Sequence, residues 1–119
     1  LYFLYYEEHD FTIRARQKGW EMYFCAQSFI HHRQSISIGL DSPLKIYYMV
    51  RNRILFMRRF NNGPQFGLFL AYYMGLGFPK MLVKLLSKGK WKHIINMYKG
   101  LIWNLHNRKI NINYENINL

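Results

Sequence analysis

Three carboxylates fall within four positions near the start of the sequence: Glu7, Glu8 and Asp10. Crowded carboxylates repel one another, so one of a group accepts a proton more readily and can act as a general base beside a bound cation. The aromatic run Tyr2-Phe3-Leu4-Tyr5-Tyr6 just ahead of them would partly dry such a site and push the same way. The same acids are also what an ordinary helix N-terminus carries, because the positive end of the helix dipole favours them. His31 and His32 form a second candidate. Neutral imidazole binds divalent metal, yet a lone histidine pair is more often structural, and a ligand here needs partners from elsewhere. Arg51, Arg53, Arg58 and Arg59 form a third. They suit phosphate or an anionic lipid headgroup, with a solvated helix face as the alternative. No glycine-rich phosphate loop, nucleophile elbow or zinc-finger spacing accompanies them.

The chain that must position these groups has 119 residues, the length of one small domain or a piece of a larger one. Half of it is hydrophobic and 18% aromatic, which excludes an intrinsically disordered chain. One cysteine, Cys25, excludes an internal disulfide and suits a reducing compartment. The first residue is Leu, with no basic segment and cleavage site of a secretory signal, so the chain reads as the later part of something longer. The formal charge is +11, and it is unevenly placed. Glu7, Glu8, Asp10, Glu21 and Asp41 precede Ser42, after which Glu115 is the one acid. A mixed-charge head therefore precedes a cationic, aromatic tail, whose usual partners are nucleic-acid phosphate or anionic lipid.

Acids at the front, bases at the back and Gly19 at the end predict a short helix from Glu7, with Asp10 and Arg14 paired one turn apart. Trp20–Cys25 and Ser28–His32 read as short strands, and 34–41 as a loop. Ser42-Pro43 starts a second helix that Asn61-Asn62-Gly63-Pro64 ends. No charge occurs between Asn61 and Pro79, but glycines and Pro79 break the run, so an interfacial or re-entrant helix is expected ahead of a true span. Lys80, Lys84 and Lys88 give the following helix one basic face, the pattern of a helix lying in the headgroup plane. Trp91–His106 reads as a further helix with Trp91 and Trp103 as interfacial rings, and 110–119 as a frayed low-complexity terminus or an edge strand.

Three blocks in order carry a family resemblance. Tyr6-Glu7-Glu8-His9-Asp10-Phe11 with Arg14, Arg16 and Gly19-Trp20 resembles the acid-pair segment of family-2 glycosyltransferases, and of rhamnosyltransferase-like members in particular. Phe29-Ile30-His31-His32-Arg33-Gln34-Ser35 is similar to the family's histidine stretch. Ser42-Pro43 through Tyr47-Tyr48 to Arg51-Asn52-Arg53 is similar to the helix that follows it. The resemblance covers Leu1 to about Arg59.

The fold it implies is α/β: the C-terminal fragment of a Rossmann-like GT-A domain, followed by amphipathic membrane-associated helices. The division expected is 1–42 for the acceptor-side end of the catalytic domain, 43–109 for the basic helical region and 110–119 for the tail. The activity implied is inverting transfer of a sugar from a nucleotide-diphospho-sugar donor to a cell-surface polysaccharide or lipid-linked acceptor. Glu8 falls on the family's base, although the family usually has Asp there. Glu7 takes the first acid position, Asp10 and Arg14 shape the helix start, and His32 falls on a histidine that helps hold the metal in some members. Arg14, Arg51 and Arg53 are the substrate-binding candidates. A divalent cation, Mg²⁺ or Mn²⁺, would neutralise the diphosphate. The nucleotide-binding half and its Asp-x-Asp motif are expected ahead of Leu1, so the chain alone is expected to be inactive. The expected place is the cytoplasmic face of a bacterial membrane, held peripherally by anionic lipid, with no nucleic-acid partner. The alternative is a non-enzymatic basic helical module that binds membrane or nucleic acid.

Overall fold

The computed structural model describes residues 2–31, 39 and 41–108. Helix α1 spans Glu7–Gln17, with three acids in its first turn. Arg14 Nε donates to Asp10 Oδ1 at 2.7 Å, the ion pair that the four-residue spacing predicts. Gly19 ends the segment at φ 85°, a conformation glycine adopts without strain. Helix α2, Pro43–Phe60, opens as its first residues dictate: the Leu44 N–H donates to Ser42 Oγ at 3.2 Å, and Pro43 fills a position that needs no donor.

Asn62 then starts α3, Gly63–Tyr72, through a reciprocal cap. The Gln65 N–H donates to Asn62 Oδ1 at 3.0 Å, while Gln65 Oε1 accepts from the Asn62 N–H at 3.4 Å. α3 continues through a π-helical turn, Tyr73–Gly77, into α4, Phe78–Leu86. Pro79 offers no N–H and its ring presses on the carbonyl four residues back; the wider turn just before it absorbs both effects. After Gly89 the last helix, α5, runs Trp91–His106.

The core lies where these helices meet. Val50 and Ile54 of α2 pack with Ile94 and Met97 of α5, and with Tyr73, Phe78 and Leu85 of the α3–α4 run. α2 and α5 run side by side in the same sense, with the α3–α4 run as the crossover between them. Asp41 ahead of α2 meets Lys90 and His93 ahead of and within the first turn of α5, and Arg58 near the end of α2 meets the Asn104 and Asn107 carbonyls. Gly100 lets the two backbones touch: a Cβ there would stand 2.7 Å from the Tyr47 carbonyl oxygen. Asn104 locks the same crossing, donating to the Arg51 carbonyl at 3.0 Å.

The α/β expectation is overturned. The described residues hold helices and no strand, so no Rossmann-like sheet is present among them. The segments Trp20–Cys25 and Ser28–His32, expected as strands, are irregular backbone where described, with a turn at Ala26-Gln27 between them; His32 lies outside the described residues. Their aromatic and branched composition signals fitness for a half-buried pleated surface, and here no neighbouring strand supplies one. Phe24 is 93% exposed and Ile30 88%. The expected loop 34–41 and tail 110–119 fall almost wholly outside the described residues; Gly39 has φ 78°.

Candidate functional site

One face of α2 carries the head of the chain. Tyr48, Asn52, Phe56 and Arg59 recur at intervals of four, four and three, which places them along a single stripe of a helix. Each receives the next part of the incoming segment. The Phe3 ring packs on Tyr48 at 5.5 Å. Asn52 Nδ2 donates to the Leu4 carbonyl and to the Tyr5 carbonyl, the latter at 3.1 Å. Tyr6 packs on Phe56 at 5.3 Å. Asp10 pairs with Arg59. Beside this stripe, Arg53 Nε donates to the Tyr6 hydroxyl at 2.9 Å.

This grip holds an unfavourable backbone. Tyr5 and Tyr6 have φ 62° and 73°, the left-handed region that bulky side chains avoid at about 1–3 kcal/mol each. Such a conformation persists where the surroundings over-determine it, and it clusters at functional sites. Its effect is to turn the chain abruptly into α1, so that Glu7 and Glu8 stand exposed on the first helical turn with their backbone fixed from behind.

The three acids therefore part company. Asp10 is only 3% exposed and is held between Arg14 and Arg59, so it anchors α1 to α2. Glu7 and Glu8 remain available to a ligand. The Tyr2 hydroxyl is buried against the Asp10–Arg59 pair without a hydrogen bond of good geometry. Burial, and then the negative charge of Asp10, pushes its pKa well above the ordinary phenol range.

The arginines are largely committed inside the fold. Arg14 faces Asp10. Arg53 joins the Tyr6 hydroxyl to the Tyr73 ring, whose centroid lies 5.5 Å from its guanidinium. Arg51 lies over the Trp103 ring at 4.0 Å and beside the Tyr48 ring at 5.7 Å. The half-buried Trp103 ring is thus a platform for a cation. His31 is exposed and packs edge-on to Phe29, while His32 lies outside the described residues. Among the described residues no group of three His, Cys, Asp or Glu side chains is close enough to hold a metal ion, and Asp10 is already taken by two guanidinium groups.

Asn52 and Arg59 carry the site, Asn52 with no role expected of its type and Arg59 in place of the phosphate or lipid role its type suggested. The signal that could have found them is spacing: an amide and a cation seven residues apart share the Tyr48–Phe56 stripe of a helix. No family model, curated protein or solved structure matches the chain.

Proposed function

We propose that the chain supplies the general base and the membrane-facing helices of an inverting glycosyltransferase similar to family 2, acting on a nucleotide-diphospho-sugar and a polysaccharide or lipid-linked acceptor. The observation that supports this reading most is the joining of two of the three resembling blocks. Asn52, Arg53 and Arg59, in and just beyond the second-helix block, grip Leu4 through Asp10 and present Glu7 and Glu8 on a strained, preorganised turn. A site whose purpose was only to begin a helix would not require two tyrosines in the left-handed region.

In the proposed step the Glu8 carboxylate takes the proton of the acceptor hydroxyl. The freed oxygen forms a bond to the anomeric carbon from the face opposite the leaving group. The bond from that carbon to the diphosphate oxygen breaks, and the nucleoside diphosphate departs with its electron pair. A sugar hydroxyl is a poor nucleophile until a placed base accepts its proton, and general-base assistance contributes on the order of 10²–10⁴-fold. Glu7 flanks the base, and Asp10 and Arg14 position α1. The divalent cation common to such transfers would stabilise the departing diphosphate. Its ligands would come from outside the described residues, with His32 as this chain's candidate. The donor site would likewise be supplied by a nucleotide-binding portion of the protein, and the place of action would be the cytoplasmic face of a bacterial membrane.

Incubating the complete protein with a panel of nucleotide-diphospho-sugars and membrane extract tests this. The expected result is donor-dependent release of nucleoside diphosphate, with a product of inverted anomeric configuration by NMR. Retention of configuration, or hydrolysis of the donor without transfer, would overturn it. The basic-module alternative is disfavoured by the arginines themselves: Arg51, Arg53, Arg58 and Arg59 face rings, carbonyls and Asp10 within the fold.

A further inference from the structure

Helix α5 is apolar on two sides. Its inward side, with Ile94, Met97 and Gly100, packs in the core. Its outward side carries Trp91, Ile95, Tyr98, Ile102 and Leu105, at spacings of four, three, four and three, and all five are exposed. Nothing among the described residues covers that stripe. Tyr98 of that stripe packs edge-on to the buried Phe78 ring of α4, centroids 5.5 Å apart. Leu76 of the π-turn and Val83 and Leu86 of α4 are exposed as well. Lys80 and Lys84 of α4, Lys88 in the turn after it, and Lys92 and Lys99 of α5 are also exposed. No acid occurs between Asp41 and Glu115 to balance them.

We propose that the outer faces of α4 and α5 form one docking surface that lies in the plane of an anionic bilayer, with the Gly63–Leu86 run resting on the membrane and not crossing it. Length alone would permit crossing: 24 residues at ~1.5 Å each span about 36 Å, enough for a ~30 Å hydrocarbon layer. The packing argues otherwise. Phe69, Tyr73, Phe78 and Leu85 fix the run against α2 and α5 from its first helix to its last. Tyr73 lies against the Arg53 guanidinium. Crossing would either strip this core apart or draw the arginines of α2 into hydrocarbon, where they are strongly disfavoured. An in-plane pose keeps the core, buries the α5 stripe, and leaves the lysine heads at the lipid phosphates with Trp91 and Tyr98 at interfacial depth. A second copy on the same surface would bring lysines against lysines, so anionic lipid is the occupant whose charge fits.

The proposal deepens the membrane partner of the reading above and does not depend on Glu8, so either can fail alone. The full chain is sedimented with vesicles of phosphatidylcholine with and without phosphatidylglycerol. Binding should require the anionic lipid, weaken with salt, and fall on the order of tenfold for Ile95→Glu and again for Ile102→Glu. Both positions are exposed, and circular dichroism should show unchanged helix. In a Cys25→Ser background, Pro64→Cys and Ser87→Cys should both react with an impermeant maleimide added outside the vesicles. Protection of one end and not the other means crossing and overturns the proposal. So does equal binding to neutral vesicles, or a lipid-free dimer that Ile95→Glu dissociates.

Discussion

Replacing Asn52 with leucine tests how the acid turn is held. The two side chains have nearly the same shape, so Asn52→Leu removes two donated hydrogen bonds from the Leu4 and Tyr5 carbonyls and little packing. Each such bond is worth about 1 kcal/mol net, and more where the abandoned carbonyl stays buried. Leu4 and Tyr5 are only half-buried, so water takes up part of the loss, and relaxation of the left-handed pair at Tyr5 and Tyr6 returns some strain energy. The expected loss of stability is about 2 kcal/mol, concentrated at the turn. The sharpest readout is hydrogen exchange at the Asp10 amide, which donates to the Tyr6 carbonyl at 2.9 Å and exists only while the turn is formed. A local loss of about 2 kcal/mol speeds its exchange roughly thirty-fold. Asn52→Asp should be worse, because a carboxylate would face two carbonyl oxygens. Unchanged exchange at Asp10 in Asn52→Leu, with stability within about 0.5 kcal/mol of the parent, would refute the claim that α2 preorganises the acids.

Three other outcomes follow from the packing and the charges. Gly100→Ala places a methyl 2.7 Å from the Tyr47 carbonyl and 3.2 Å from the Arg51 amide nitrogen, so α2 and α5 must part; despite alanine's better helix propensity, a net loss of about 1–3 kcal/mol is expected by thermal denaturation. The Lys90 ammonium beside Asp41, with His93 at 3.2 Å, holds the Asp41 carboxyl below the usual carboxylate range. Its contribution is present above about pH 4 and is lost as pH falls through the lowered folded value, so Asp41→Asn should flatten the acid limb of the stability curve. The raised Tyr2 pKa works in the opposite direction: its stabilisation is present below about pH 10 and is lost as pH climbs above it, so Tyr2→Phe should remove one late-titrating phenol and soften alkaline unfolding.

The helices were legible in the sequence because their signals are local. Ser42-Pro43 and Asp10 with Arg14 each act within one turn and form as their spacing implies, while 61–64, read only as a helix end, also starts the next helix through the Asn62–Gln65 cap. The π-turn was not legible, since it answers to Pro79 and to the packing of Tyr73 against Phe69 and Phe78 together. The expected strands at Trp20–Cys25 and Ser28–His32 failed where they lie among the described residues, because strand formation is a property of a pair and the sequence shows only one side of it. At the site, the three acids look equivalent in sequence. Only tertiary structure separates Asp10, matched by an arginine 49 positions away, from Glu7 and Glu8. The same holds for the arginines, whose run reads as a phosphate grip until Trp103, Tyr6 and Asp10 are found to occupy it.

The account turns on whether the outward-facing acid at position 8 takes the acceptor's proton. Steady-state kinetics of Glu8→Gln in the complete protein, with the Asp10 amide exchange checked for an intact turn, addresses that most directly. The expected result is a fall in kcat of about 10²–10⁴-fold with the donor KM nearly unchanged. A kcat within a few-fold of the parent, with the turn shown to be intact, would contradict it.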